Sequence, residues 1–297
     1  MEDIIKVRDV ITPVNNYLRS HDAVSVQATG YLRYIQLGSL KIMEEVDRVC
    51  ALAGLEYFLC GGALIGAARN GLFVPWDDDI DIFLARADYE RFIAVFNERC
   101  ALDGISAALY SSDNGVWNMI KVRHKDIPYI CVDVFCYDIM YHHLNFSQRM
   151  AFTRRLRHVT SEHANGNKEL REKDIEAYHK SFWDLTIKKV PYLRPDSACR
   201  NPVLFFSLGF CHSSVTCNAF DMNDVLPVRK ITFENRRLSA PANSDIFLTS
   251  CYGDYLRLPS EPVLHVNLDN ISIEEALRLK SFISTMPEYH EMHKNIL

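Results

Sequence analysis

Apolar side chains recur every three to five positions between residues 32 and 50, which is the spacing of one helix face. They are Leu32, Ile35, Leu40, Met43, Val46 and Cys50. Gly54 follows as a residue that can end the helix in the left-handed conformation. The mostly apolar residues 55–60 predict a strand that runs directly into Gly61-Gly62. The pattern therefore predicts a helix, a strand and a glycine turn in succession.

Downstream of the glycine pair, strand-like and helix-like patterns alternate before a mainly helical second half. Strands are predicted at residues 106–110, 116–122 and 129–135, and a hairpin at 232–239. Helices are predicted at residues 63–68, 89–100, 144–164, 169–189, 245–251 and 273–284. Asp88 is expected to cap the helix at 89–100, with Phe92, Val95 and Phe96 facing inward. The predicted fold class is α/β of the α+β kind, a mixed sheet flanked by helices with a mostly helical C-terminal part.

Length and charge narrow the class of protein further. The chain has 297 residues, a net charge of −5 and a pI near 6.1. We expect an N-terminal lead-in at 1–30, a core at 31–140 and a mostly helical part at 141–297 packed on that core. The mild acidity argues against a nucleic-acid partner, because proteins that bind by counterion release are usually basic.

The sequence also predicts the cellular compartment. No apolar run approaches the roughly 20 residues of a membrane span, and the first ten residues carry acids where a secretory signal needs a basic region. Nine cysteines without regular spacing are typical of free thiols in a reducing compartment. We expect a cytoplasmic protein, with at most peripheral contact at the inner face of a membrane.

The most informative segment is the acidic run at residues 75–82, PWDDDIDI. On an extended strand Asp77, Asp79 and Asp81 share one face, whereas Ile80 and Ile82 point to the other. A solvated acidic turn does not need alternating isoleucines. Three neighbouring carboxylates repel one another, and a bound Mg²⁺, or Mn²⁺ in its place, would remove that repulsion.

Asp133 is the only charged residue in the predicted strand 129–135, where Cys131 and Phe135 share its face. A lone buried carboxylate is costly unless it is paired or bound to a cation. Two interpretations remain open: Asp133 joins Asp79 and Asp81 around a metal, or it pairs with Lys121 or Arg123 on a neighbouring strand.

The pair Gly61-Gly62 ends a strand and opens a helix, so its backbone N–H groups and the helix dipole can hold phosphate. Arg69 lies just past this helix. It either neutralises phosphate charge or is an ordinary surface arginine.

Together these residues resemble a known pattern. Gly-Gly followed by Asp79-Ile-Asp81 and by Asp133 between apolar residues is similar to the nucleotidyltransferase superfold of DNA polymerase beta and its relatives. The segments 59–69 (LCGGALIGAAR) and 73–81 (FVPWDDDID) resemble more narrowly the signature of the LicD family, which includes phosphorylcholine transferases and the fukutin-related proteins. The family order also fits ADYERF at 87–92, Lys121, and VDVF at 132–135, and its C-terminal signature resembles 233–243 (FENRRLSAPAN) and 247–255 (FLTSCYGDY).

The resemblance implies a nucleotidyltransferase-like core and a metal-dependent transferase. Such an enzyme moves a phosphorylated head group, phosphocholine or a polyol phosphate, from a CDP-linked donor to the hydroxyl of a glycan or glycolipid and releases CMP. Asp79, Asp81 and Asp133 would be catalytic and would hold the metal. Asp77 would be a further ligand or only a support for the site.

The remaining candidate residues would bind either the CDP-linked donor or the acceptor. The resemblance implies that Gly61, Gly62 and Arg69 hold phosphate, with Lys121 a weaker candidate. Trp76 would stack on cytosine or pack in the core. The residues Tyr252, Asp254 and Tyr255 would line the acceptor side or pack the C-terminal helix.

Two other functions remain open. A nucleotidyltransferase would use the same acids to place NMP on a small alcohol and would release pyrophosphate. A catalytically inactive binding module would show no dependence on metal, although intact Asp79, Asp81 and Asp133 argue against it.

Overall fold

The computed structural model describes residues 27–112, 118–141, 145–189, 199, 202–206, 219–257 and 268–293. Residues 1–26 of the lead-in predicted at 1–30 lie outside these ranges. So do residues 116 and 117 of the strand predicted at 116–122 and residue 144 of the helix predicted at 144–164.

Among the described residues, a seven-stranded mixed sheet forms the centre of the molecule. The strands are β1 (Tyr57–Cys60), β2 (Ile80–Ala85), β3 (Ile105–Ser111), β4 (Asn118–His124), β5 (Ile127–Met140), β6 (Val203–Phe206) and β7 (Ala219–Asp221). Five strands lie side by side in the order β1-β2-β5-β4-β3, while β6 pairs with the end of β5 and β7 pairs with β6. β2 and β5 run parallel, and the other described pairs are antiparallel. This confirms the predicted mixed α/β fold.

Helices cover the sheet and connect its strands. They are α1 (Gly30–Ala53), α2 (Gly61–Arg69), α3 (Arg86–Arg99), α4 (Phe146–Gly166), α5 (Lys168–Lys173), α6 (Ile175–Lys189), α7 (Met222–Val225), α8 (Ser244–Tyr252), α9 (Ile273–Ile283) and α10 (Pro287–His293), with a 3₁₀ turn at Leu268–Asn270. Beyond its helices, the C-terminal part extends the sheet, because β6 pairs with the end of β5 at residues 137–140. None of the helices in the described ranges is long and apolar enough to cross a membrane.

The first helix follows its apolar pattern closely. Leu32, Ile35, Leu40, Met43 and Val46 are fully buried because their spacing places them on the face that packs against β5. The helix ends at Gly54 in the left-handed conformation, with φ of 64°, as predicted.

Helix α3 begins at Arg86, three residues before the start predicted at residue 89. Ala85 is its N-cap, and Asp88 lies in the first turn, where a carboxylate interacts favourably with the positive end of the helix dipole. Phe92 and Phe96 are fully buried as predicted, whereas Val95 is only partly buried.

The predicted hairpin is present as β8 (Arg229–Phe233) and β9 (Arg236–Ala240). Its two turn residues, Glu234 and Asn235, have φ of 48° and 61°, the conformation of the tight turns that suit the twist of two strands. Glu234 is buried and accepts two hydrogen bonds from Arg33 of α1, at 2.7 and 3.1 Å, and one from the backbone N–H of Phe73 at 2.9 Å. The hairpin is thereby fixed to the segment that leads into the acidic run.

Candidate active site

A row of functional side chains crosses the sheet at one level. Asp81 of β2 is paired with Asp133 of β5, Cys60 of β1 lies on the other side of Asp81, and Lys121 of β4 lies beside Asp133. Residues that are paired across neighbouring strands point to the same face of a sheet. The sheet register therefore brings two acids, a thiol and a lysine onto one face.

The other acids approach this row from the loop before β2. The strand begins at Ile80, so Asp77 and Asp79 lie outside the regular strand in which alternation placed them. Their burial still alternates with that of their neighbours, because Asp78 and Ile80 are buried whereas Asp77 and Asp79 are partly exposed.

Buried polar residues of α1 hold this loop in place. The Gln36 amide donates to the backbone carbonyl of Asp77 at 2.8 Å, and the Ser39 hydroxyl donates to that of Asp78 at 3.3 Å. Ser39 also accepts from the backbone N–H of Cys131 at 3.2 Å. One helix thus positions the acidic loop relative to β5.

The carboxylates come close enough to share a cation. Ligand atoms of Asp79, Cys131 and Asp133 lie within 4.8 Å of one another, and so do those of Asp77, Asp78 and Asp79. Carboxylate oxygens at this spacing fit a hard divalent cation such as Mg²⁺ or Mn²⁺. Asp79 belongs to both groups and therefore connects them.

The electrostatics of Asp81 are those expected of an acidic cluster with little positive charge. Desolvation raises the pKa of Asp81 well above its usual value, and the negative charges of Asp79, Asp133 and Asp77 raise it further. Lys121 opposes this rise only weakly. A divalent cation would offset the repulsion among these groups, so the donor set fits a metal.

Lys121 forms an ion pair with Asp133, and its Nζ lies 2.7 Å from each carboxylate oxygen. Desolvation alone would lower the pKa of Lys121, but Cys131 and Asp133 together raise it. This pairing is the second of the two interpretations considered for Asp133. It coexists with the first, because Asp133 also lies within reach of Asp79.

The glycine pair gives the acids room. Gly61 has φ of 57°, and a Cβ atom on it would overlap the Asp81 carboxylate. A Cβ atom on Gly62 would overlap the Asp77 carboxylate in the same way. The two glycines are therefore required by the close approach of the carboxylates to the start of α2, besides any contact with phosphate.

A cavity of about 630 Å³ adjoins the acids. It combines aromatic, acidic and basic side chains of residues 62–77 with the last residue of α8 and the residues that follow it. Its lining consists of Gly62, Ile65, Arg69, Val74, Trp76, Asp77, Tyr252, Asp254, Tyr255 and Arg257. In the structure, the predicted residues Gly62, Arg69 and Trp76 therefore line the same cavity as side chains of the Tyr-Gly-Asp-Tyr block at 252–255.

Tyr252 connects this cavity to the acidic row. Desolvation raises the pKa of its hydroxyl well above the usual value, and Cys251, Cys60, Asp81 and Asp77 add to the rise.

The structure brings the four predicted acids and the two glycines together at one corner. Lys121, predicted as a weaker phosphate ligand, is instead bound to Asp133 and is absent from the cavity lining. Sequence reasoning missed five residues with a place at the site. They are Gln36, Ser39, Asp78, Cys131 as a ligand, and Arg257.

Three of these omissions had a signal in the sequence. Gln36 and Ser39 are polar residues that interrupt the apolar face of α1, and both are fully buried. Arg257 lies two residues after the Tyr-Gly-Asp-Tyr block. Nothing in the sequence indicated that Cys131 would approach the loop residue Asp79.

The sheet order, the row of acids and the glycine corner define a mixed α/β domain with an acidic site at one corner of its sheet. Residues 54–193 match the family described as LicD/FKTN/FKRP, nucleotidyltransferase domain. The match covers just under half of the chain, and this segment is similar to the nucleotidyltransferase domain of that family.

The chain is also similar to individual members of that family. It is 45% identical over 65 residues to the lipopolysaccharide cholinephosphotransferase LicD of Haemophilus influenzae, a match that covers 22% of this chain and 24% of the relative. It is 45% identical over 47 residues to the ribitol 5-phosphate transferase FKRP of Homo sapiens and of Mus musculus, which covers 14% of this chain and 10% of each relative. The matches thus span about a quarter or less of the length of these relatives.

Proposed function

We propose that this protein is a metal-dependent transferase that moves a phosphorylated head group from a CDP-linked donor to a hydroxyl of a glycan or glycolipid, with release of CMP. The observation that carries the proposal is that Asp81 and Asp133 are paired on one face of the sheet while Asp79 approaches Asp133 from the loop before β2. These acids lie beside Gly61-Gly62 and the cavity. Acids, backbone amides and a cavity in this arrangement serve phosphate chemistry.

The metal-binding residues in this proposal are Asp79 and Asp133, whose ligand atoms lie within 4.8 Å of each other, and Asp81, which is paired with Asp133 across the strands. Asp77 and Asp78 form a second ligand group with Asp79. A bound Mg²⁺ or Mn²⁺ would neutralise charge on the phosphate oxygens and favour displacement at phosphorus.

Two arginines are suited to the donor phosphates. Arg69 and Arg257 both line the cavity, and neither has an ion-pair partner in the ranges that the structure describes. Guanidinium groups match phosphate oxygens in geometry as well as in charge. We assign Arg69 to the diphosphate with Gly61 and Gly62, and Arg257 to the same anion from the C-terminal side.

The reaction moves one proton and exchanges one bond. The acceptor hydroxyl oxygen forms a bond to the phosphorus of the head group, the bond between that phosphorus and the CMP oxygen breaks, and CMP leaves. Asp133 receives the hydroxyl proton, directly or through a water molecule. Lys121 keeps the carboxylate of Asp133 oriented while it does so.

Aromatic residues of the cavity distinguish its two sides. Trp76 is partly exposed and lines the cavity, so we assign it to stacking on cytosine. Tyr252, Asp254 and Tyr255 lie on the opposite element and are assigned to the acceptor. The Tyr255 hydroxyl donates to Asp245 at 2.8 Å, which restricts the orientation of the ring.

The relatives support head-group transfer over nucleotidyl transfer. Their names describe a cholinephosphotransferase and a ribitol 5-phosphate transferase, and both describe transfer of a phosphorylated alcohol. Nucleotidyl transfer uses the same acids and remains the second candidate, and an inactive binding module is the third.

A donor panel separates these functions. The purified protein is incubated with CDP-choline, CDP-polyols and nucleoside triphosphates, with candidate acceptors and with Mg²⁺ or Mn²⁺, and CMP and pyrophosphate are measured. We expect CMP from a CDP-linked donor, and loss of turnover by at least about 100-fold in Asp79→Asn. Asp103→Asn, at an exposed turn residue, is the matched control and should keep full activity.

The outcomes are distinct. Pyrophosphate from a nucleoside triphosphate, with no CMP from any CDP-linked donor, would replace this proposal with nucleotidyl transfer. Tight donor binding without turnover or metal dependence would instead indicate a binding module.

A further inference from the structure

We propose that Cys131 is a ligand in the metal site, and that its thiol makes this site bind zinc-like, thiophilic divalent cations more tightly than Mg²⁺. The inference rests on the proposed function only in taking the acids around Asp79 as a metal site. It concerns which metal that site selects.

The position of the thiol carries the inference. The Cys131 sulfur lies within 4.8 Å of carboxylate oxygens of both Asp79 and Asp133. Cys131 and Asp133 are two residues apart on β5 and therefore share a face. A single cation placed among the three groups can contact all of them.

The thiol is also held in place and shielded from water. Only 6% of Cys131 is exposed, and its backbone N–H donates to the buried Ser39 hydroxyl. The backbone on either side belongs to a strand with neighbours on both edges. Cys131 therefore presents its sulfur from a rigid position, which is what a selective metal site requires.

Other buried thiols near the acids do not have this geometry. Cys60 is paired with Asp81 across the strands, and Cys251 lies at the end of α8, yet neither belongs to a ligand group among the residues that the structure describes. Cys131 is thus distinguished by its distance to two carboxylates, and burial alone does not set it apart.

Lys121 makes the choice of metal depend more strongly on the thiol. Its ammonium group contacts both oxygens of Asp133, so any cation must share that carboxylate with a positive charge. An all-oxygen site for Mg²⁺ is weakened by this competition. A sulfur ligand adds affinity that Mg²⁺ cannot use but that zinc-class cations can.

Binding of such a cation is balanced by release of a proton. The cation forms a bond to the Cys131 sulfur, the thiol proton passes to solvent, and the oxidation state of the metal does not change. Two carboxylates and one thiolate leave a fourth position of a tetrahedral site for water or phosphate.

Cadmium provides a direct probe, because a bond between Cd²⁺ and a thiolate gives an ultraviolet charge-transfer band. We would titrate the protein with Cd²⁺ and compare wild type, Cys131→Ser and the matched control Cys50→Ser, after checking by thermal melting that each is folded. Cys50 is a buried thiol of α1 that belongs to no ligand group among the described residues. The first equivalent of Cd²⁺ should produce the band in wild type and in Cys50→Ser. In Cys131→Ser the band should be absent, and Cd²⁺ affinity should fall roughly 100-fold.

A wild-type band should persist in excess Mg²⁺ and disappear when Zn²⁺ displaces Cd²⁺. An unchanged band and an unchanged Cd²⁺ affinity in Cys131→Ser would overturn the inference. If Cys131→Ser does not fold, X-ray absorption of wild type with one equivalent of Zn²⁺ decides. A sulfur at about 2.3 Å from zinc supports the inference, and oxygen or nitrogen ligands alone overturn it.

The donor panel described above is run on the same samples with Mg²⁺. CMP release by wild type together with a Cd²⁺ band that does not depend on Cys131 would overturn the role of Cys131 and leave the proposed function intact. A band that depends on Cys131 without release of CMP from any donor would contradict the proposed function and leave the metal ligand assigned.

Discussion

Asp81 shows at the scale of one residue how a cluster of acidic side chains opposes the stability of the fold. Its carboxyl is desolvated and surrounded by Asp79, Asp133 and Asp77, and all of these influences raise its pKa. A group whose folded pKa lies above its unfolded value favours folding at low pH, and this contribution is lost as the pH rises. At neutral pH Asp81 therefore contributes less to the stability of the metal-free fold than it does at acidic pH.

The change Asp81→Asn should separate stability from function. We expect it to abolish metal-dependent turnover and to raise the free energy of unfolding of the metal-free protein by about 1 kcal/mol, because a repelled charge is removed. Denaturation in the presence of a chelator measures the second effect. Asp103→Asn should change stability by less than about 0.5 kcal/mol, and a lower stability for Asp81→Asn than for this control would contradict the account.

The glycine corner offers a second prediction at this scale. Gly62→Ala should lower metal affinity and activity at least about tenfold, because its Cβ atom would displace the Asp77 carboxylate. Gly61→Ala should do the same at the Asp81 carboxylate and add backbone strain, since its φ is 57°. Metal titration by calorimetry measures the loss.

Gly54→Ala is the control for backbone strain alone. Its φ is 64°, but a Cβ atom there would have nothing within 4 Å. It should cost about 1 kcal/mol of stability and leave metal affinity unchanged. Equal metal affinity in Gly54→Ala and Gly62→Ala would show that the steric explanation is wrong.

At the scale of elements, α1 contributes to the site, whereas α4 and α6 form a packed pair of helices in the C-terminal part. α1 carries the buried polar residues Gln36 and Ser39, which position the acidic loop. In the C-terminal part, α4 and α6 pack together through His163, Tyr178 and Phe182, with ring centroids 4.8 and 5.4 Å from His163.

The packing of α4 and α6 predicts a dependence of stability on pH. His179 of α6 is buried, and desolvation lowers its pKa to about 4, with Arg86 and His163 adding to this effect. The unfolded chain binds the proton more readily, near pH 6.5. The free energy of unfolding should therefore fall by up to about 3 kcal/mol as the pH decreases from 6.5 to 4.

Urea denaturation across this pH range measures the dependence for wild type, His179→Phe and His158→Gln. The slope should be smaller in His179→Phe, which has no group to protonate. The exposed His158 should have no comparable effect. An identical pH profile for His179→Phe and wild type would contradict the assignment.

At the scale of the whole molecule, the site depends on contacts between distant parts of the chain. The cavity combines residues 62–77 with residues 252–257. The buried ion pair between Arg33 and Glu234 holds the C-terminal hairpin against α1, and Glu234 also accepts from Phe73 just before the acidic loop.

Glu234→Gln should therefore destabilise the whole fold. It leaves the buried Arg33 without its carboxylate, which costs about 3–5 kcal/mol. Thermal and urea denaturation measure this loss. Glu169→Gln removes an exposed pair with Lys173 and should cost less than about 0.5 kcal/mol. Similar losses in the two variants would show that the Glu234 contact has no special structural role.

The sequence predicted most elements and the acidic residues because their signals are local. Apolar spacing predicted α1 and its end at Gly54, and alternation placed Asp81 and Asp133 on strands. It could not predict that Lys121 would pair with Asp133 while Asp79 approaches from a loop, since this follows from the order and register of the strands. The contribution of Arg257 to the cavity depends on how the C-terminal part packs, and apolar periodicity carries no information about that.

The central claim is that Asp79, Asp81 and Asp133 together hold a divalent cation beside the glycine corner. Anomalous diffraction from crystals of the protein soaked with Mn²⁺ tests it directly, because the scattering locates the ion. We predict a peak among the carboxylates of Asp79 and Asp133 that is absent from crystals of Asp79→Asn. Mn²⁺ bound only elsewhere, or a peak that survives this substitution unchanged, would contradict the account.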